Sequence, residues 1–117
     1  MPGAGYEVSR IGGVPVVATP AEIDVRNAAE FRQALLSCAN GSHPTPVVDM
    51  SETAFCDSTG LHQLVRARAR VIAAGGEVRL VIQADTVLRL FAIMGVDSLF
   101  PVFATLEEAA ASAPTGT

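Results

Sequence analysis

Apolar and polar positions switch between a two-residue and a helical period along the chain, and the switches predict its elements. Tyr6 to Ser9 and Val14 to Thr19 read as two strands joined across Gly12-Gly13, a hairpin turn signal. Val14, Val16, Val17 and Ala18 make the second strand largely apolar, as a central strand should be. Pro15 has no N–H to donate, so it suits an edge or a strand start, and Pro20 ends the pattern. Asn27 followed three residues later by Glu30 predicts a capped helix start. Phe31, Ala34, Leu35 and Cys38 then fall on one helical face. Asn40-Gly41 stops that helix, and the Pro44-to-Pro46 segment delivers the chain to Val47-Val48-Asp49-Met50, a short buried strand.

After Phe55 comes Cys56-Asp57-Ser58-Thr59-Gly60 and then a second helix. Leu61, Leu64, Val65 and Ile72 are expected to form its core stripe, with Arg66 and Arg70 on the wet side and Gly75-Gly76 as its stop. Glu77 to Ile82 reads as the next strand. Asp85 favours a third helix start through the helix dipole. Val87, Leu90, Phe91 and Met94 make that helix's stripe, and Gly95 is its stop. Phe100 to Phe103 is a last short strand, and Thr105 with Glu108 forms a capping box for a final helix through Ala111. The order β-β-α-β-α-β-α-β-α implies an α/β sandwich: a mixed, mostly parallel sheet of about five strands, opened by an antiparallel hairpin and packed with about four helices. The small, polar ends, Met1 to Gly5 and Ser112 to Thr117, are expected to be disordered, which leaves one domain over 6–111.

Length and composition narrow the classes of function. A chain of 117 residues suits one domain, and such a domain buries roughly two thirds of the surface its unfolded chain exposes. With five Phe, one Tyr and no Trp, the core must rest on Val, Leu, Ile and Ala. Net charge is −4, and the eight basic residues, all Arg, form no dense block. Nucleic-acid binding, which needs clustered cations to release counterions, is therefore not expected. No apolar run approaches the ~20 residues of a membrane span, and Met1 to Gly5 lack the basic start and apolar stretch of a secretory signal. Cys38 and Cys56 have no second pair, so neither a zinc spacing nor a disulfide framework is suggested. The expectation is a cytoplasmic protein without metal or cofactor.

The informative segment is the passage from strand to helix at Cys56 to Gly60. The first turn of a helix presents unpaired backbone N–H groups and a partial positive charge. A hydroxyl there is exposed, and a phosphate attached to it suits the helix. The plainer interpretation is that Asp57 or Ser58 simply caps the helix. His62 falls four residues after Ser58 on the same face. A Ser–His nucleophile pair would make a hydrolase, but no G-x-S-x-G element accompanies it, and the other histidine, His43, sits in a Pro-rich loop. His62 is thus expected to be a partly exposed helix residue at a partner interface. Asp24 and Asp57 invite comparison with paired carboxylates for acid–base work or Mg²⁺, or Asp24 merely ends a strand. Cys56 has no neighbouring cation to lower its pKa and reads as an inert buried thiol. Cys38 belongs to the core stripe of its helix, and Leu88 or Ile93 offers an apolar patch to a partner.

In combination these motifs resemble the STAS family, named for sulfate transporters and anti-sigma factor antagonists, from about Tyr6 to Ala111. Ala21-Glu22-Ile23-Asp24 resembles the family's G-E-[LI]-D element, closing the second strand, and Val47-Val48-Asp49-Met50-Ser51 resembles its central strand. Phe55-Cys56-Asp57-Ser58-Thr59-Gly60-Leu61 is similar to its apolar-x-D-S-[ST]-G-L loop, at matching distance from Asp49. Val87 to Gly95 is similar to its third helix. Two departures stand out: Ala21 replaces the usual glycine, and Thr59 replaces the commoner serine.

The resemblance implies a regulatory switch without catalytic activity. Ser58, with Thr59 as the alternative, would be phosphorylated by a partner that is both anti-sigma factor and serine kinase. The unphosphorylated form would bind that partner and free the sigma factor, and a metal-dependent phosphatase would reset it. Asp24, Asp57, Ser58, Thr59, Gly60 and His62 would form the docking surface of a monomer or weak dimer. Asp24 should lie near the loop if the second strand ends beside it. Two rivals are a STAS module that senses a small molecule or nucleotide, or serves a larger assembly, and a Ser58-dependent hydrolase.

Overall fold

The computed structural model describes residues 5–39 and 45–111. The expected stop at Asn40-Gly41, the loop with His43 and Pro44, and the ends apart from Gly5 lie outside the described residues. The chain opens with β1 (Glu7–Ile11) and β2 (Val14–Ala18), an antiparallel hairpin. Gly12 and Gly13 both take positive φ at its turn (58° and 85°), the conformation that matches the strand twist and that glycine adopts without penalty. The first strand begins and ends later than its apolar pattern suggested, because the ladder runs right up to this turn.

Next come β3 (Glu22–Ile23), α1 (Ala28–Ala39), β4 (Val47–Met50), β5 (Phe55–Cys56), α2 (Ser58–Ala73), β6 (Arg79–Ile82) and α3 (Asp85–Ile93). A 3-10 turn (Asp97–Leu99), β7 (Val102–Phe103) and α4 (Leu106–Ala111) complete the described chain. The main sheet has the order β1-β2-β4-β6-β7, all parallel except the hairpin. This is the mixed, mostly parallel α/β sandwich expected. Pro15 sits near the start of β2, and the parallel ladder to β4 begins one residue later, at Val16. The strand-start expectation therefore holds.

Alternation along the strands sorts side chains to two faces. Val17, Val48, Met50, Leu80 and Ile82 pack with Phe31, Leu35 and Cys38 of α1, Leu61, Leu64, Ala67 and Val71 of α2, and Val87 and Phe91 of α3. Val14, Val16, Val47 and Val81 on the other face are covered by Ala109, Leu106 and Phe103. The stripe of α1 is as predicted. That of α2 is corrected: Ile72 is exposed, Val65 is half-buried, and Ala67 and Val71 take the core positions. In α3, Met94 is exposed rather than core. Val78 and Phe100 are buried, but they lie outside the ladders, so β6 and β7 are shorter than their apolar runs.

The helix ends follow local chemistry. Gly75, at φ 90°, follows α2, and Gly76 N–H bonds Val71 O at 3.0 Å, the wrap-around that closes a helix on a left-handed residue. Thr105 Oγ1 accepts from Glu108 N–H at 3.2 Å at the start of α4, as the capping box predicted. Asn27 behaves differently from the expected cap. Its side chain turns back, Oδ1 accepting from Asp24 N–H (3.1 Å) and Nδ2 donating to Glu22 O (3.0 Å).

Candidate functional site: the α2 amino terminus against β3

The site is built on a second, two-stranded sheet, which the sequence patterns do not reveal. β3 and β5 pair in parallel, Glu22 with Phe55 and Ile23 with Cys56. Asp57 N–H extends the ladder to Ile23 O at 3.0 Å. The Ala21-to-Asp24 element is therefore a separate short strand rather than the close of the second one. Asp24 still comes to the loop, through β3. Ala21 O accepts from Ala54 N–H (2.9 Å) and Phe55 N–H (3.2 Å). Positive φ values among the described residues belong only to glycines, so alanine serves at position 21 without strain. Buried Thr53 ties the loop down by donating to Pro20 O (2.6 Å), and Thr86 Oγ1 donates to Ala54 O (2.9 Å) from α3.

At the head of α2 the two candidate caps divide their roles. Asp57 is extended (φ −92°, ψ 178°), and its Oδ1 accepts Gly60 N–H at 3.0 Å. It is the cap, which satisfies one of the helix's orphan donors. Ser58 is the first helical residue, and it is exposed; Thr59 is half-buried. Gly60 is buried against β3. A Cβ there would stand 2.5 Å from Ile23 Cγ2 and 3.1 Å from Cys56 Sγ. Only glycine lets the helix start this close to the strand.

Asp24 is half-buried and fully engaged. Its Oδ1 accepts from Arg26 N–H (2.9 Å) and Arg26 Nε (3.2 Å), and its Oδ2 accepts from Arg26 NH2 at 2.7 Å. These bonds hold the Asp24 carboxyl below its usual pKa and raise that of the guanidinium. Tyr6 braces the same turn: its hydroxyl donates to Asn27 Oδ1 (2.9 Å), and its ring stacks on Phe31 at 5.2 Å between centroids. Burial, first of all, pushes the Tyr6 hydroxyl pKa up.

Cys56 is buried beneath the site. It is the buried thiol expected, and burial, followed by the nearby Asp57 charge, pushes its pKa up to about 12, which disfavours the thiolate. His62 is exposed one turn along α2 and makes no hydrogen bond with Ser58. Beside β5 lies an open, mostly apolar groove of about 340 Å³, walled by Phe55, Cys56, Leu90 and Ile93 with Arg89 at its edge. Ile93 (72% exposed) lines it, whereas Leu88 does not. Among the described residues there is no group of three or more His, Cys, Asp or Glu arranged to hold a metal ion. Among them, too, no helix is long and apolar enough to cross a membrane.

The fold thus brings Asp24, Asp57, Ser58, Thr59 and Gly60 together, with His62 one turn away. Ile23, Arg26, Asn27 and Thr53 also build the site and went unpredicted. Arg26 had a sequence signal: an Asp bonding the backbone two residues on is a common turn, here Asp24-Val25-Arg26-Asn27.

The model of the STAS domain matches residues 6–109, and the chain belongs to the STAS domain family. The anti-sigma-F factor antagonist RsfB of Mycobacterium tuberculosis is 29% identical over 97 residues, covering 83% of this chain and 79% of that protein. The crystal structure of an anti-sigma factor antagonist from Mycobacterium paratuberculosis is 30% identical with a TM-score of 0.79, covering 89% of this chain and 88% of that one. The fold is also that of the anti-sigma factor antagonist SpoIIAA in its unphosphorylated form (TM-score 0.76, 20% identity, 90% of this chain and 92% of that one).

Proposed function

We propose that the protein is an anti-sigma factor antagonist whose 6–111 STAS domain is switched by phosphorylation of Ser58. Its unphosphorylated form binds an anti-sigma factor through Asp24, Asp57, Ser58, Thr59, Gly60 and His62, and so releases the sigma factor. The bound partner is itself the serine kinase, and a metal-dependent phosphatase restores the binding form. The protein acts in the cytoplasm as a monomer or weak dimer and has no catalytic activity of its own. The names of its mycobacterial relatives support the antagonist role.

One observation carries the choice of Ser58. Asp57 occupies the cap, so the neighbouring hydroxyl is left exposed on the first turn, where a phosphate meets the helix's positive end. Thr59, half-buried, is the poorer acceptor. A modification that adds roughly two negative charges beside Asp57 and Asp24 alters the docking surface while leaving the packed core untouched.

The test uses the purified protein, ATP and the serine kinases of its host. Wild type is expected to take up phosphate and Ser58→Ala not to, while Thr59→Ala stays a substrate. Ser58→Asp is expected to lose about 100-fold in affinity for the anti-sigma factor. Wild-type affinity in a folded Ser58→Asp protein refutes the switch. The groove beside β5 is the feature that favours the small-molecule alternative, since its volume lies at the low end for ligand sites. Thermal stabilisation by a ligand, independent of any kinase, would support that alternative.

A further inference from the structure

Arg26 stands out among the charged groups of the site. Its side chain is 78% exposed, and its partners are two carboxylates on its own short segment: Asp24, gripped at 2.7 and 3.2 Å, and Glu22 at 3.9 Å. The turn that carries it follows Ile23, whose carbonyl accepts Asp57 N–H. Asp24 and Asp57 therefore follow directly on the paired residues Ile23 and Cys56 of neighbouring strands about 4.8 Å apart, and Ser58 comes one residue later, at the same end of the small sheet. The charges around Ser58 are otherwise acidic: Asp57 next to it, then Asp24 and Glu22. The first turn of α2 holds no basic residue, and the exposed His62 lies a turn further on.

We propose that Arg26 is the built-in counter-charge for a phosphorylated Ser58, held on Asp24 in the unmodified protein and exchanged onto the phosphate after modification. The inference rests on Ser58 as the modified residue. An exposed ion pair contributes little and opens readily. A phosphoserine dianion offers a guanidinium a two-pronged acceptor of higher charge than a carboxylate. The exchange changes the surface twice over. The phosphate becomes partly neutralised, and Asp24 loses its guanidinium partner, keeping only the Arg26 backbone N–H. A partner then meets its negative charge in a new place, and the core is undisturbed.

The experiment places phosphoserine at position 58 genetically, so no kinase is required, and follows its 31P resonance through a pH titration. A nearby guanidinium favours the dianion and lowers the second phosphate pKa. Arg26→Gln is therefore expected to raise that pKa by roughly half a unit, about threefold in proton affinity, with the melting temperature unchanged. His62→Gln is expected to move it less. An identical midpoint in Arg26→Gln and its phosphorylated parent overturns the assignment, as does a midpoint that moves only in His62→Gln. Failure of every kinase to modify Ser58 would sink the proposed function yet leave this titration readable, so the two ideas fail separately.

Discussion

A methyl group on Gly60 would stand 2.5 Å from Ile23 Cγ2, well inside van der Waals contact, and 3.1 Å from the Cys56 sulfur. All three residues are buried, and Ile23 belongs to the strand that also delivers Asp24. Relief must come from moving the head of α2 away from β3, which also moves Ser58 relative to Asp24. Gly60→Ala is expected to lower stability by about 1–3 kcal/mol, the usual cost of overpacking. Truncation at the exposed neighbour Ser58 is nearly silent, so urea unfolding of Gly60→Ala beside Ser58→Ala isolates the effect. Equal midpoints for the two variants would mean that the close approach is not a constraint. Asp57 and Ser58 show the same economy at single-residue level: one side chain closes the helix, and the hydroxyl beside it is left available for chemistry.

At the scale of elements, the second face of the sheet depends on one short helix and one buried cation. Arg79 on β6 is 3% exposed, yet it bonds Glu77 at 2.8 Å and donates to Ala109 O of α4 at 2.9 Å. Removing one partner of a buried pair leaves the other uncompensated. Arg79→Ala is expected to cost about 3 kcal/mol, less if water reaches Glu77. Hydrogen exchange should show α4 losing protection before α1 or α2, and uniform loss across the helices would contradict a local hook. This arginine illustrates where sequence patterns run out. Periodicity made α1 legible, because Phe31, Leu35 and Cys38 each meet the sheet. It misplaced one residue of α2, because small Ala67 allows packing at a position where bulk was sought, while Ile72 near the helix end overhangs the core edge. Two-residue strands such as β3 and β5 are too short to show any period. The D-S-T-G loop was legible as the passage from a strand into a helix. The wall of Ile23 against it and the Asp24–Arg26 ion pair beside it come from elsewhere in the chain and are joined to it only by strand pairing.

For the molecule as a whole, the residue proposed to be modified stands apart from the packed core. Within α2 the residues that join the core packing α1, α2 and α3 on the sheet begin at Leu61, and exposed Ser58 is not among them. A negative charge at position 58 gains from the helix's positive end, typically 0.3–1 kcal/mol. It also meets the Asp57 and Asp24 carboxylates, which act in the opposite direction, and both effects weaken as salt screens them over about 10 Å at 0.1 M. With the two nearly offsetting, Ser58→Asp is expected to melt within about 3 °C of wild type, with the difference shrinking further as salt is raised. Binding to the anti-sigma factor should respond in the other sense, lost at low salt and only partly recovered at high salt, because a buried interface screens charge less than a free surface does. Calorimetric melts and binding titrations on the same samples across a salt series measure both. If Ser58→Asp lost its binding and its fold together, the modification would act by unfolding, and an exposed first-turn hydroxyl would no longer account for the switch.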